Sequence, residues 1–256
     1  MKHTFPTAAP IVADLELRHA DLQMVASEVT ETTVEIAGHA GTDASEVTIE
    51  MTAGTLVVRV PRSVGLLRRG PQLRLSISLP TGSSVRARSG SGDLDVSGSY
   101  AAVTLQAGSG DIRVDTITQD SHVSAGSGDV TISDARARVR VDIGSGDVRI
   151  EGATAELAVK AGSGDVTVAV SSGGVAATTG SGDVQLRSVR GGELWLRTGS
   201  GDVDVAVPRG IPVWTDILAA GGVRSQLTPR GEPAEGEDHV RVHAQVGSGS
   251  VRLHDA

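Results

Sequence analysis

The sequence predicts an all-β fold: a parallel β-solenoid (β-helix) of about 18 residues per coil, with irregular end caps. Three observations predict it. The tetrad Gly-Ser-Gly-Asp recurs with its first glycine at Gly90, Gly108, Gly126, Gly144, Gly162 and Gly180, each 18 residues after the last. β-Branched and aliphatic residues follow every tetrad at alternate positions, which is the period of a strand and not of a helix. Aromatic residues make up 2 % of the chain, so Val, Ile, Leu and Ala must fill the interior, and the interior must be narrow.

All 256 residues read as one solenoid domain with three parts. Residues 1–89 are worn N-terminal strands and a cap. "HADLQM" at 19–24 resembles "GSGDVQL" at 180–186, "TAGTLVV" at 52–58 keeps a turn-then-apolar rhythm, and "QLRLSISLP" at 72–80 alternates as a strand. Residues 90–207 are the regular repeats. With the first glycine as place 1, place 5 holds Leu94, Ile112, Val130, Val148, Val166, Val184 and Val203. Place 7 holds Val96, Val114, Ile132, Ile150, Val168, Leu186 and Val205. Place 10 is small or apolar, from Ser99 to Val189, and places 14, 16 and 18 carry a second apolar cluster, with Ser121 as the exception at place 14. Each unit therefore contains two short strands separated by corners. Residues 208–256 are worn C-terminal coils, with "AAGGVRS" at 219–225 keeping the rhythm and an exposed loop at 228–239, "TPRGEPAEGEDH". End coils are expected to be irregular because they must guard open strand edges. The crossover rule favours a right-handed coil.

The tetrad reads as a stacked corner. Glycine supplies backbone angles that side chains resist, and Ser and Asp accept hydrogen bonds from the amides a turn leaves unpaired. Stacking sets Asp93, Asp111, Asp129, Asp147, Asp165, Asp183 and Asp202 in a ridge about 4.8 Å apart. Like charges at that spacing repel by about 1 kcal/mol in water. Hydrogen bonds to the backbone are the expected offset. A row of bound cations is the alternative, since the calcium β-roll nonapeptide also uses about 18 residues per coil. This sequence departs from that pattern: its Asp follows the second Gly directly, and place 10 lacks the second glycine-rich turn. No resident cofactor is therefore expected.

Other chemistry fits less well. Hexapeptide solenoids need an inward aliphatic every six residues, and places 5, 7, 10, 14, 16 and 18 do not supply it. Glycan-active β-helices carry acids, arginines and aromatic platforms in a groove, whereas the aromatics here are Phe5, Tyr100, Trp195 and Trp214. No serine of the repeats has a histidine at a matching place, so nucleophilic catalysis is unsupported. His239 and His243 in "HVRVH" share an outward face at a spacing that could hold a metal, although plain surface residence accounts for them. Arg140 with Asp142, Arg149 with Glu151, and Arg113 beside Asp95 read as exposed ion pairs. Trp195 falls outward over Ala176 and Thr178 of the preceding coil, either as a contact for a partner or packed beside Trp214.

The net charge of -8 argues against nucleic-acid binding through a general positive field. Cysteine is absent, which excludes disulfides and thiolate metal sites. No stretch has the length and apolarity of a leader or membrane span, so a cytoplasmic location is expected for the chain as written, with the cell surface reached only through a leader.

The tandem "GSGDV", the opening "FPTAAPIVADLEL", and the late "PRGIPVWTDILAAGGVRSQL" followed by "VRVHAQVGSGSVRL" resemble a bacterial β-strand-repeat family whose members are called "putative adhesins". The resemblance covers essentially the whole chain. It implies a solenoid-like all-β fold and transfers no catalytic residue. The expected function is a non-enzymatic rigid scaffold or binding module for an unidentified protein or glycan partner. An envelope adhesin or cation-binding rod is the second reading, and a glycan-active enzyme the third.

Overall fold

The structure, a computed structural model, describes residues 1–38, 47–60, 73–227 and 239–256. Every element among the described residues is a strand. Contacts divide the chain into two compact units, Met1–Gly128 and Asp129–Ala256.

The first unit contains β1 (Lys2–Pro6), β2 (Val12–Ser27), β3 (Glu31–Ala37), β4 (Thr48–Thr52), β5 (Thr55–Arg59), β6 (Leu73–Pro80), β7 (Ser84–Ser91), β8 (Leu94–Tyr100), β9 (Val103–Ser109), β10 (Ile112–Ile117) and β11 (Ser121–Ser127). Each coil gives one strand to each of two parallel sheets, and the apolar places of both face inward. β7, β9 and β11 stack in one sheet, β8 and β10 in the other. "HADLQM" does behave as a worn repeat, because Leu22 pairs with Leu94 and Met24 with Val96.

The coil order corrects the simple expectation of a chain wound in sequence. β2 runs through both sheets and lies between β7–β8 on one side and β5–β6 on the other. The coil that comes second in sequence is thus outermost in space. The end is then finished by antiparallel pairs, β1 with β3, β3 with β6, and β4 with β5, rather than by further worn coils. Antiparallel strands can fold back locally over an open edge, whereas another parallel strand needs a whole crossover.

The second unit contains β12 (Val130–Ala135), β13 (Val139–Ser145), β14 (Val148–Ala153), β15 (Leu157–Ser163), β16 (Val166–Ser171), β17 (Val175–Ser181), β18 (Val184–Leu186), β19 (Gly192–Ser200), β20 (Val203–Val207), β21 (Val213–Ala219), β22 (Val223–Ser225), β23 (Val240–Ser248) and β24 (Val251–Asp255). Val130, Val148, Val166, Val184 and Val203 pair in one continuous column. After β20 the order again departs from sequence. β23 lies between β19 and β21, and β24 between β20 and β22. The expected loop at 228–239 lies, apart from His239, outside the described residues.

The interior follows the predicted phase. Places 5 and 7 are buried in every repeat named above, and place 16 is buried from Leu105 to Ala177, after which the extra residue before Gly199 moves the inward position to Leu196. Two departures have local causes. In the first repeat an irregularity after Val96 brings Tyr100, not Ser99, into line with Ile117, so one aromatic enters the core. The Tyr100 hydroxyl has no hydrogen bond of good geometry, although the Ala26 amide weakly favours its ionised form. Burial, with Asp115 and Asp95 nearby, raises its pKa far above the ordinary phenol range. At Ser121 the hydroxyl accepts from the Val103 amide at 2.8 Å and donates to the Gln119 carbonyl at 2.8 Å, so a polar residue is satisfied where an aliphatic was expected.

The two glycines of each tetrad serve different purposes. Gly164 has φ +124°, a region that side chains avoid. Gly162 has no such angle, but a Cβ there would sit 2.5 Å from the Gly144 carbonyl oxygen of the coil before it. The first glycine thus permits close stacking and the second makes the turn.

Candidate binding surface

The aspartate ridge is a hydrogen-bonded ladder. In the first unit the Asp21 carboxylate accepts from the Asp93 amide at 3.3 Å, and Asp93 accepts from the Asp111 amide at 2.9 Å. In the second unit Asp129, Asp147, Asp165 and Asp183 accept in turn from the amides of Asp147, Asp165, Asp183 and Asp202, at 2.7–2.9 Å. The amide served lies one coil away, not in the same turn. A charge-assisted hydrogen bond contributes about 1.5–3 kcal/mol, enough to outweigh the repulsion between neighbouring carboxylates. The ladder ends at Ser250, whose amide and hydroxyl both donate to Asp202, at 2.7 and 3.0 Å. Those bonds, the amide's first, hold the Asp202 pKa below its ordinary value. A serine in the last tetrad therefore closes the row without setting another charge on the end coil. Asp21 belongs to the ridge but was missed in the sequence, because "HAD" has lost the glycines that mark the other members.

Among the described residues no three His, Asp or Glu side chains gather in a way that could hold a metal ion. A cleft of about 280 Å³ runs beside the ladder, lined by Asp165, Asp183, Asp202, Asp204, Gln185 and Arg252, among others. His254 borders this region and bonds to Asp204 at 2.8 Å and to the Asp255 carbonyl at 2.9 Å. The Asp255 carbonyl first, then Asp204, raises the His254 pKa. Of the expected ion pairs, Arg140 meets Asp142 at 2.6 Å. Arg113 is in register with Asp95, yet its guanidinium turns to Asp111 of its own coil, at 2.9 Å.

Trp195 stands outward beside Ala176, as its spacing predicts, and is 47 % exposed. Its packing partner is His243, not Trp214. The two rings stack at 4.1 Å between centroids with 10° between planes. That separation is close to one strand spacing, so both rings stand on edge with their faces along the stacking direction. His243 also reaches Glu193 at 3.3 Å and Asp216 at 3.4 Å. Strand insertion builds this surface. One outward row crosses β17, β19, β23 and β21 as Ala176, Trp195, His243 and Asp216. The row beside it runs Thr178, Arg197, Gln245 and Leu218. On the other side Glu193, Arg241 and Trp214 align, with the Arg241 guanidinium 5.0 Å from the Trp214 ring. His239 packs against Trp214 at 5.9 Å, so the two histidines of "HVRVH" serve different aromatic neighbours.

The model of a family described as Toastrack DUF4097 matches residues 12–209. No curated protein sequence matches the chain. Among solved structures, the chain is similar to one described as a "putative adhesin" from Bacteroides fragilis, at 11 % identity and a TM-score of 0.50, covering 99 % of this chain and 96 % of that one. It is also similar to a "putative cell adhesion protein" from Clostridium sporogenes, at 12 % identity and TM-score 0.30, covering 100 % and 99 %. A third, a "putative lipid binding protein" from Parabacteroides distasonis, has 13 % identity and TM-score 0.39, covering 98 % and 96 %. At these identities the likeness is one of fold, and of the three only the first is close enough to argue from.

Proposed function

We propose, for a chain that belongs to the Toastrack DUF4097 family, a non-catalytic binding module that engages its partner through the outer face of β17, β19, β23 and β21. One observation carries this reading. Of the seven large apolar side chains most exposed among the described residues, Trp195, Trp214 and Leu218 lie together on this face. Exposed apolar side chains gathered on one face are a mark of contact with another molecule. The aspartates of the ladder support the non-enzymatic part, because Asp93, Asp129, Asp147, Asp165, Asp183 and Asp202 are committed to amides of the neighbouring coil and Asp111 is paired with Arg113. The description of the Bacteroides fragilis protein as an adhesin is in keeping with a surface that binds.

The test is to profile the protein on glycan and peptide arrays beside two variants. Trp195→Ala with Trp214→Ala should abolish the bound set, while Arg149→Ala on a regular coil should leave it unchanged. Identical profiles for all three, or release of a chemically altered ligand over time, would contradict the proposal.

A further inference from the structure

Resting on that reading, we infer that the free face of Trp195 and the alanine shelf beside it form a subsite for a carboxylated sugar, the uronate unit of an acidic polysaccharide. His243 covers one face of the indole. The opposite face looks along the stacking direction toward Ala176 and then Ala158, which occupy the same column on the next two strands. Arg140 stands beyond them, turned to Asp142. Two consecutive alanines leave a recess about 10 Å long, bounded at one end by an aromatic wall. A pyranose has apolar C–H faces and a polar rim, so it can lay one face on an indole while its hydroxyls remain within reach of flanking groups.

The flanks supply the charge selectivity. On one side the column Lys160, Thr178 and Arg197 is exposed. Asp142, the register neighbour of Lys160, is turned to Arg140, and no ion pair joins a carboxylate to Lys160 or Arg197 among the described residues. An ammonium and a guanidinium two strands apart, with a hydroxyl between them, suit a carboxylate borne on a sugar. The overall charge of -8 works against an anion at long range, but screening confines that penalty and leaves the local pair to decide. On the other side Gly174 lies between Glu156 and Glu193, both exposed, whose carboxylates are turned to Arg138 and His243; the glycine leaves a gap between them through which a chain of sugars can pass over the shelf.

Calorimetric titration with hexagalacturonate, followed in parallel by tryptophan fluorescence, tests the inference, with cellohexaose as the neutral counterpart. Saturable binding of the uronate oligomer, at least tenfold tighter than the neutral one and weakened by salt, is the expected result. Ala176→Phe fills the recess at a partly exposed position and should lower affinity at least tenfold with an unchanged melting temperature. Trp195→Ala should do the same. Lys160→Ala with Arg197→Ala should bring the uronate oligomer down to the affinity of the neutral one. Absence of binding, equal binding of both oligomers, or indifference to Ala176→Phe would overturn the subsite. If the arrays instead reveal a Trp195-dependent ligand of another class, the subsite falls while the broader binding reading stands.

Discussion

The coils from β12 to β18 and those from β19 to β24 obey one stacking rule and turn it to different ends. In the first group each strand from β12 to β16 meets the strand 18 residues later, β17 and β18 the one 19 residues later, and the outer face carries small residues and paired charges such as Arg140 with Asp142. In the second group the register jumps by 48 residues, from Trp195 to His243 and from Asp202 to Ser250. The outer face there carries both tryptophans, Arg197, Arg241 and two histidines. Regular coils supply a uniform wall. The break in order at the end brings together side chains that no local period would unite.

The sharpest way to break the first half of this comparison is to charge its interior. Val148→Asp puts a carboxylate into the core with no partner, where Val148 is 1 % exposed, and should cost more than about 4 kcal/mol, seen as loss of cooperative melting. Thr131→Asp, outward and beside Arg149, should stay within about 0.5 kcal/mol. Equal behaviour of the two would show that the inward and outward places are misassigned.

The corners come next. Gly164→Ala must hold an alanine at φ +124° with its Cβ 1.9 Å from the Gly146 oxygen, and should destabilise by about 3 kcal/mol or more in denaturant titration. Gly210→Ala also has positive φ, at +94°, but its Cβ meets nothing within 4 Å, so the cost should be nearer 1 kcal/mol. A smaller effect tests the ladder. Asp165→Ala leaves the Asp183 amide without its acceptor and should cost about 1–2 kcal/mol, and Asp165→Asn, which keeps a carbonyl oxygen, about half that.

The smallest effect lies at the end coil. The His254 pKa is raised in the folded protein, so its contribution is complete below the unfolded value of about 6.5 and fades as pH rises through the folded value. The melting temperature of the wild type should therefore fall slightly relative to His254→Gln as pH rises past neutrality. A rise would reverse the assigned partner geometry.

Much of the fold was legible because the repeat is redundant. Leu94, Ile112, Val130 and their successors announce one inward column, and any one of them could be lost without hiding it. Trp195 over Ala176 was legible for the same reason, since one coil's offset decides it. What could not be read is the order of the ends. Nothing local distinguishes β23 stacking on β19 from β21 doing so, because both offer alternating apolar residues of similar length. The choice is made by which coil better covers the other, and that is a tertiary matter. His243 was therefore weighed as a metal ligand with His239 when its neighbour is Trp195. Tyr100 was missed through a smaller fault of the same kind: an irregularity after Val96 shifts the register by one, and period counting cannot see it.

The insertion of β23 between β19 and β21 underlies the whole proposed binding surface, and crosslinking tests it directly. The chain has no cysteine, so paired substitutions are unambiguous. Arg197 and Gln245 are register partners on adjacent strands, within the Cα range that a disulfide can bridge, whereas Arg197 and Leu218 are two strands apart and beyond it. Oxidation of Arg197→Cys with Gln245→Cys should give a quantitative intramolecular crosslink in the native protein, and Arg197→Cys with Leu218→Cys should give none. The opposite result would place β21 against β19, in sequence order, and the aromatic surface would not exist as described.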